Sequence, residues 1–340
     1  MQKFDPVHHI DNLIDDPYYE KLILLRNLLS MKIDSYFQSL HAPRVDLYMV
    51  TGSVSSPMGK GSDSEPWPVT MGNIDTYLVD SAQFGMEPLV QKNFDMVYCY
   101  LPSFRGETPD NTHLNQFYHC EAELKGPLSQ CMKIVEGLFA ETFTLFEDST
   151  LTKIIDPKRY KLLKEVVSRP VEQIDFNEAI TVLGSDQALI EHTSHGRVIT
   201  RKGEIELSRQ LFNHQSLFWL TGYDRDTVPF YQKPNPEDEN RVMNADLLLP
   251  PIGDSGFAGE VLGSGQRQDS VAEIHESIRR QVVEGSENYD WYIKLRTRPD
   301  YQMTSGFGLG IERFVSWLMG TDDIASAALY PVMNTVKTLY

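Results

Sequence analysis

Two short stretches hold residue types able to handle a nucleotide. The first is Phe104-Arg105-Gly106-Glu107, which follows a strand-like run at 96–101. Arg105 can fork two charge-assisted bonds onto a phosphate. Glu107 can accept from an adenine amino group, and Phe117, on the returning segment with His113, Glu121 and Glu123, can stack on a purine. Taken alone, these residues would equally make a surface ion pair beside a core phenylalanine. The second stretch is Ser305-Gly306-Phe307-Gly308-Leu309-Gly310-Ile311-Glu312-Arg313-Phe314. Glycines at alternate positions let a strand pass beneath a ligand or another backbone. Arg313, in the first turn of the helix that follows, can reach the outer phosphates of ATP. Alone, this stretch would be a helix start with close strand packing; the two together point to nucleotide chemistry.

These residues need a scaffold. Apolar residues at helical spacing (Leu22, Leu25, Leu29, Ile33, Phe37 among them) predict a helix over 16–40, ended by Pro43. Strands are expected at 45–50, 76–79, 96–101, 117–124, 216–220, 243–249 and 291–295. A Gly-, Ser- and Pro-rich loop is expected at 51–67 and a polar hairpin or loop at 234–240. Helices are expected at 127–146 and 269–284 and from Ile311, with mixed segments over 156–210. Strands in the middle with flanking helices predict an α+β fold with a mostly antiparallel sheet.

The motifs resemble those of class II aminoacyl-tRNA synthetases. The FRGE hairpin with its return HLNQFYHCEAEL resembles motif 2, and GFGLGIERFVSWLMG is similar to motif 3 of the asparaginyl type. The helix ending at Pro43 resembles motif 1, the family's dimer element. Ser81-Ala82-Gln83-Phe84-Gly85-Met86-Glu87 resembles the amino-acid-binding stretch, and the run from Gly259 to Arg267 the glycine-rich metal and substrate segment. The resemblance spans about residues 16 to 332. It implies a single class II catalytic domain over 1–340, with ATP and Mg²⁺ as cofactors. Arg105 would bind the α-phosphate and the reacting carboxylate; Glu107 and Phe117 would hold adenine. Arg313 would take the γ-phosphate, with His113, Gly308 and Gly310 completing the ATP site. Glu260 with Asp246 would carry Mg²⁺. Ser81, Gln83, Glu87, Glu123 and Arg267 would form the amino-acid site. Glu87 could accept from a side-chain amide or an α-ammonium, and Arg267 could pair with a carboxylate. The reaction implied is attack of a carboxylate on the α-phosphorus, giving an acyl-adenylate and pyrophosphate, catalysed by positioning and charge neutralisation through Arg105, Arg313 and the metal.

The chain also departs from the family. The motif 1 helix begins almost at once, so no N-terminal anticodon-binding barrel is expected. The loop Thr108-Pro109-Asp110-Asn111-Thr112 lacks arginine, and Met303-Thr304 stands where a histidine is usual. The formal charge is −17, with no long run of Lys or Arg, so tRNA is not expected as a partner. The expectation is therefore a tRNA-independent ligase. It would activate aspartate, asparagine or an analogue and form an amide with ammonia or a small amine. A truncated asparaginyl-tRNA synthetase and a non-catalytic binding paralog are the alternatives. Cys99, Cys120 and Cys131 show no metal-ligand spacing, and no signal peptide or membrane span is visible, so a cytoplasmic homodimer is expected.

Overall fold

The computed structural model describes residues 4–55, 65–147, 149–283 and 285–337. The long N-terminal helix is Pro17–Ser39. Its start is fixed by Asp16, whose carboxylate accepts from the Tyr18 amide at 2.9 Å, and by proline at the first helical position. Tyr19, Leu22, Leu25, Leu29, Ile33 and Phe37 recur every three or four residues and are all buried.

That face packs on a seven-stranded sheet in the spatial order Met96–Phe104, Gln116–Lys125, Thr304–Gly310, Gly259–Gln266, Asn244–Leu249, Phe218–Thr221, Glu172–Asp175. Every neighbouring pair is antiparallel except the last, which is parallel. One face of the sheet is covered by the helices Pro17–Ser39, Leu128–Phe143 and Ile311–Met319, which together enclose the main apolar core. The other face is left for the site. Arg26 ties the first helix to the last, with Nη1 2.9 Å from Glu312 Oε1. Glu312 Oε2 in turn accepts from the Tyr118 amide at 2.8 Å, fixing the final helix to the strand Gln116–Lys125.

The polar segment at 234–240 forms a hairpin, Pro234–Asn235 with Asp238–Val242. Two expected strands differ. The run 45–50 contributes only Val50–Thr51, which joins Pro68–Met71 and Ile74–Leu78 in a small separate sheet. Arg44 makes just an isolated bridge to Tyr98, so the segment after Pro43 touches the main sheet without joining it. The apolar run at 291–295 is helical, Asp290–Leu295. A five-residue run with four apolar positions has too little periodicity to separate helix from strand. Here burial of Tyr292 and Ile293 among Phe84, Phe230 and Tyr289 decides it. Of the loop expected at 51–67, positions 56–64 lie outside the described residues. Among the described residues, no helix is long and apolar enough to cross a membrane, and all three cysteines are buried and unpaired.

Candidate active site

A cavity of about 290 Å³ opens on the uncovered face of the sheet. Strand alternation places its lining: Phe117, His119, Glu121 and Glu123 project to one face of their strand. Opposite them in register run Gly310, Gly308 and Gly306.

At one end lie the residues expected to hold adenine. Arg105 follows the strand Met96–Phe104, and its guanidinium sits 5.4 Å from the centre of the Phe117 ring. Arg105 Nε is enclosed without a partner, which leaves a donor for a ligand. The turn is held by Asn115, buried to 1% exposure, which donates to the Arg105 and Glu107 carbonyls at 2.8 and 2.7 Å. Asn115 Oδ1 accepts from the Asn334 amide at 2.7 Å, so the C-terminal segment braces this turn. Neither asparagine was legible as a site element, because each acts by bracing the backbone of the turn, Asn334 from more than 200 positions away. Glu107 currently accepts from the Glu65 amide at 3.1 Å.

The residues expected to hold the phosphates centre on Arg313. Its Nη1 donates to the Glu260 carbonyl at 2.9 Å, and its Nη2 lies 3.1 Å from His113 Nε2. His113 Nδ1 is 2.9 Å from Asp110. An arginine only donates, so Nε2 accepts and the ring proton sits on Nδ1, facing Asp110. Arg201, at the start of the helix Arg201–Phe212, is a cation the sequence reading missed. Arg201 and Arg313 both lie against Phe257, at 4.8 and 5.4 Å. Burial first, and then the neighbouring Arg313 charge, lower the Arg201 pKa.

Asp246 and Glu260 hang over Gly263, where an added Cβ would lie 3.4 Å from Asp246 Oδ1 and 3.6 Å from Glu260 Oε1. Glu204, also missed, accepts from the Glu260 amide at 3.1 Å. Burial first, and then the Glu260 charge, push Glu204 up to about 7 and Asp246 well above the carboxylate range. A cation would relieve that repulsion. Hard carboxylate oxygens suit Mg²⁺, which is usually held by one or two carboxylates together with substrate phosphates. Among the described residues, no group of three or more His, Cys, Asp or Glu side chains is placed to hold a metal ion by itself.

Two buried ion pairs lie at the end of the cavity where the amino-acid site is expected, one lining it and one behind it. Arg267 grips Glu123 through Nε at 3.1 Å and Nη2 at 2.8 Å. Gly306 makes room for this pair: a Cβ there would lie 2.0 Å from Glu123 Oε2 and 2.5 Å from Arg267 Nη2. By contrast, a Cβ at Gly308 would meet only ordinary contacts, the nearest 3.6 Å away at Glu121. Gly308 and Gly310 line the cavity itself. Ser81 Oγ donates to Glu121 Oε2 at 2.7 Å, and the Ala82 amide donates to the same oxygen at 3.0 Å. Gln83 lines the cavity with its Nε2 enclosed and unpartnered.

Glu87 departs from expectation. It is fully buried, outside the cavity lining, with Oε1 2.5 Å from Arg296 Nη2 and 3.1 Å from the Tyr301 hydroxyl. It braces Arg296 through Oε1, while its Oε2 is enclosed without a partner and the residue does not line the cavity. Its wall position is taken by Met86, and His119, Tyr231 and Gln232 are further lining residues absent from the expected set. Arg105, Glu107, His113, Phe117, Glu260, Asp246, Gly308, Gly310, Arg313, Ser81, Gln83, Glu123 and Arg267 all border the one cavity.

Comparisons with known proteins identify the family. Residues 14–334 match the model of the class II tRNA synthetases (D, K and N). Asparagine–tRNA ligase of Thermococcus kodakarensis is 33% identical over 275 residues, covering 78% of this chain and 58% of that protein. The enzyme of that name from Mycoplasma pneumoniae is 26% identical over 332 residues, covering 92% and 70%. Among solved structures, asparaginyl-tRNA synthetase of Pyrococcus horikoshii complexed with asparaginyl-adenylate superimposes with a TM-score of 0.78. It is 24% identical, over 94% of this chain and 70% of that one. The Entamoeba histolytica asparaginyl-tRNA synthetase in complex with asparaginyl-adenylate gives 0.80 at 20% identity, over 99% and 73%. These structural likenesses show the fold. The chain spans under three-fifths of the length of the Thermococcus relative. The relatives are tRNA ligases, and this overturns the expectation that tRNA is excluded as a partner. That expectation rested on the arginine-free loop at 108–112, the expected absence of the barrel and the net charge, and net charge sums over the whole surface and does not set the potential at one face. The chain belongs to the class II tRNA synthetases of the D, K and N group.

Proposed function

We propose that this chain is the adenylate-forming core of an enzyme that activates asparagine with ATP and passes the asparaginyl group to tRNA. The observation that carries the choice of amino acid is the Arg267–Glu123 pair. Arg267 is 3% exposed and Glu123 fully buried, and the two charges cancel inside the pocket. The second arginine of this region, Arg296, is likewise neutralised by Glu87. A second substrate carboxylate would therefore find no uncompensated cation, and desolvating it would cost several kcal/mol on the order-of-magnitude scale of buried ions. A neutral carboxamide fits.

In the reaction, the α-carboxylate oxygen of asparagine attacks the α-phosphorus and the bond to the pyrophosphate oxygen breaks. Phe117 stacks on adenine and Arg105 holds the α-phosphate against the carboxylate. Arg313, with His113 and Arg201 beside it, holds the leaving phosphates. Asp246 and Glu260 would hold Mg²⁺, which when bound neutralises phosphate charge. The adenylate's carbonyl carbon is then attacked by a tRNA hydroxyl, and AMP leaves. The sequence reading favoured ammonia or a small amine as acceptor; the relatives support tRNA. The outer face of the helix Pro17–Ser39 exposes Ile23, Leu24 and Met31, which suits a homodimer contact.

ATP–pyrophosphate exchange tests the first step. Exchange with asparagine, and far less with aspartate, is expected. Transfer of labelled asparagine to bulk tRNA is expected in preference to formation of a new amide from ammonium. Exchange with aspartate alone would refute the choice of amino acid, and transfer to ammonium alone would refute the choice of acceptor.

A further inference from the structure

We propose that Gln232 recognises the substrate side chain as a carboxamide, by accepting from its NH₂ group while Arg267 donates to its oxygen. The inference deepens the asparagine reading above and rests on it. Gln232 forms an antiparallel bridge with Arg267. The Lys233 amide donates to the Gln266 carbonyl and the Gln268 amide to the Tyr231 carbonyl, both at 2.9 Å, so the segment 231–233 runs as an extra edge beside this end of the sheet. Residues directly opposite in such a pair share a face. Gln232 and Arg267 therefore meet on the cavity side, and both line it.

Gly265 lies two residues before Arg267 on the same face. A Cβ at 265 would stand 1.8 Å from Gln232 Oε1. The carboxamide of Gln232 thus lies in space that a side chain at 265 would fill. Its Oε1 is enclosed and has no donor. A buried acceptor left without a donor is uncommon in a native fold and costs free energy until something supplies one.

Arg267 shows the complementary deficit. Its Nε and Nη2 are committed to Glu123, while Nη1 donates to nothing among the described residues. The pocket therefore offers one free acceptor and one free donor from a cross-strand pair. A carboxamide presents one oxygen and one NH₂ and satisfies both. A carboxylate presents oxygens only, so one of them would face Gln232 Oε1 with no proton between. A methyl ketone of the same shape would satisfy Arg267 and leave Gln232 unpaired.

The test uses wild-type enzyme and Gln232→Met in pyrophosphate exchange, with asparagine and its methyl ketone isostere 2-amino-4-oxopentanoate. The wild type should prefer asparagine by roughly ten- to hundredfold in kcat/KM, the discrimination expected when one buried polar group loses its partner. In Gln232→Met the preference should collapse to about threefold or less, with the loss appearing in the KM for asparagine and not in the KM for ATP. A preference that persists in Gln232→Met, or that is absent in the wild type, overturns the inference. The wild-type comparison decides alone if the variant does not fold. No exchange on any amino acid would overturn the adenylation reading and this inference with it; exchange that ignores the amide overturns this inference alone.

Discussion

Replacing Glu123 by glutamine should turn the pocket toward aspartate. The substitution keeps the size of the side chain and removes the charge that neutralises Arg267. Two effects follow. The first is on stability: breaking a buried ion pair by removing one partner costs about 3–5 kcal/mol. With unfolding entropy near 2.1 cal/mol/K per residue, a chain of 340 residues should lose roughly 4–7 °C in melting temperature. The second effect is on specificity. Arg267 becomes an uncompensated cation facing the substrate side chain. A unit-charge contact at about 4 Å is worth about 4 kcal/mol at an effective dielectric constant near 20. Desolvation of the substrate carboxylate consumes much of that. A net swing of about 1.4–3 kcal/mol would raise the aspartate-to-asparagine ratio of kcat/KM by roughly ten- to hundredfold. Pyrophosphate exchange with both amino acids, read beside a thermal melt, measures the two effects together. A melt unchanged within a degree would show that the pair does not hold the fold. A destabilised variant with an unchanged ratio would refute the argument that charge cancellation sets the choice of amino acid.

Three further outcomes follow from the same geometry. Glu87→Gln leaves Arg296 buried without a carboxylate, so chemical denaturation should show a loss of about 3–5 kcal/mol, and the preference for asparagine over aspartate should persist, because Glu87 lies outside the cavity; a lost preference with intact stability would return Glu87 to the substrate. Arg105→Ala should abolish exchange without lowering the melting temperature, and full activity would refute its place on the α-phosphate. Glu204 is held at about 7, above its ordinary 4.5, so the folded state binds its proton more tightly than the unfolded chain does. Its contribution is present below about pH 4.5 and is lost as pH rises through 7, amounting to about 3 kcal/mol. Denaturation in a chelator at pH 5 and pH 8 should show this difference in the wild type and a flatter profile in Glu204→Gln; identical profiles would refute the assignment.

Much of the site could be read along the chain because its motifs are local. Arg105, Glu107, His113 and Phe117 lie on one hairpin, and Gly308, Gly310 and Arg313 on one strand-to-helix junction. Period-two alternation then settles which side chains share a face, and the 3.6-residue period of the helix Pro17–Ser39 settles which face it buries. What the sequence could not supply was the partner of each charge. Glu123 and Arg267 are 144 positions apart, and whether an arginine offers a free cation or a neutralised one depends on the carboxylate that long-range strand pairing brings beside it. Glu87 looked like a substrate contact until packing buried it against Arg296. Glu204 and Gln232 carry no local signature at all; each matters through a close approach to a glycine on another element, Gly259 for the first and Gly265 for the second. By itself, then, the sequence pointed to the family and to the adenylate chemistry proposed for it, and determined the α+β class and the strand that carries Phe117. Tertiary structure alone decided which charges cancel, and on that cancellation the proposed choice of amino acid rests, because electrostatic compensation depends on distance in space and not on separation along the chain.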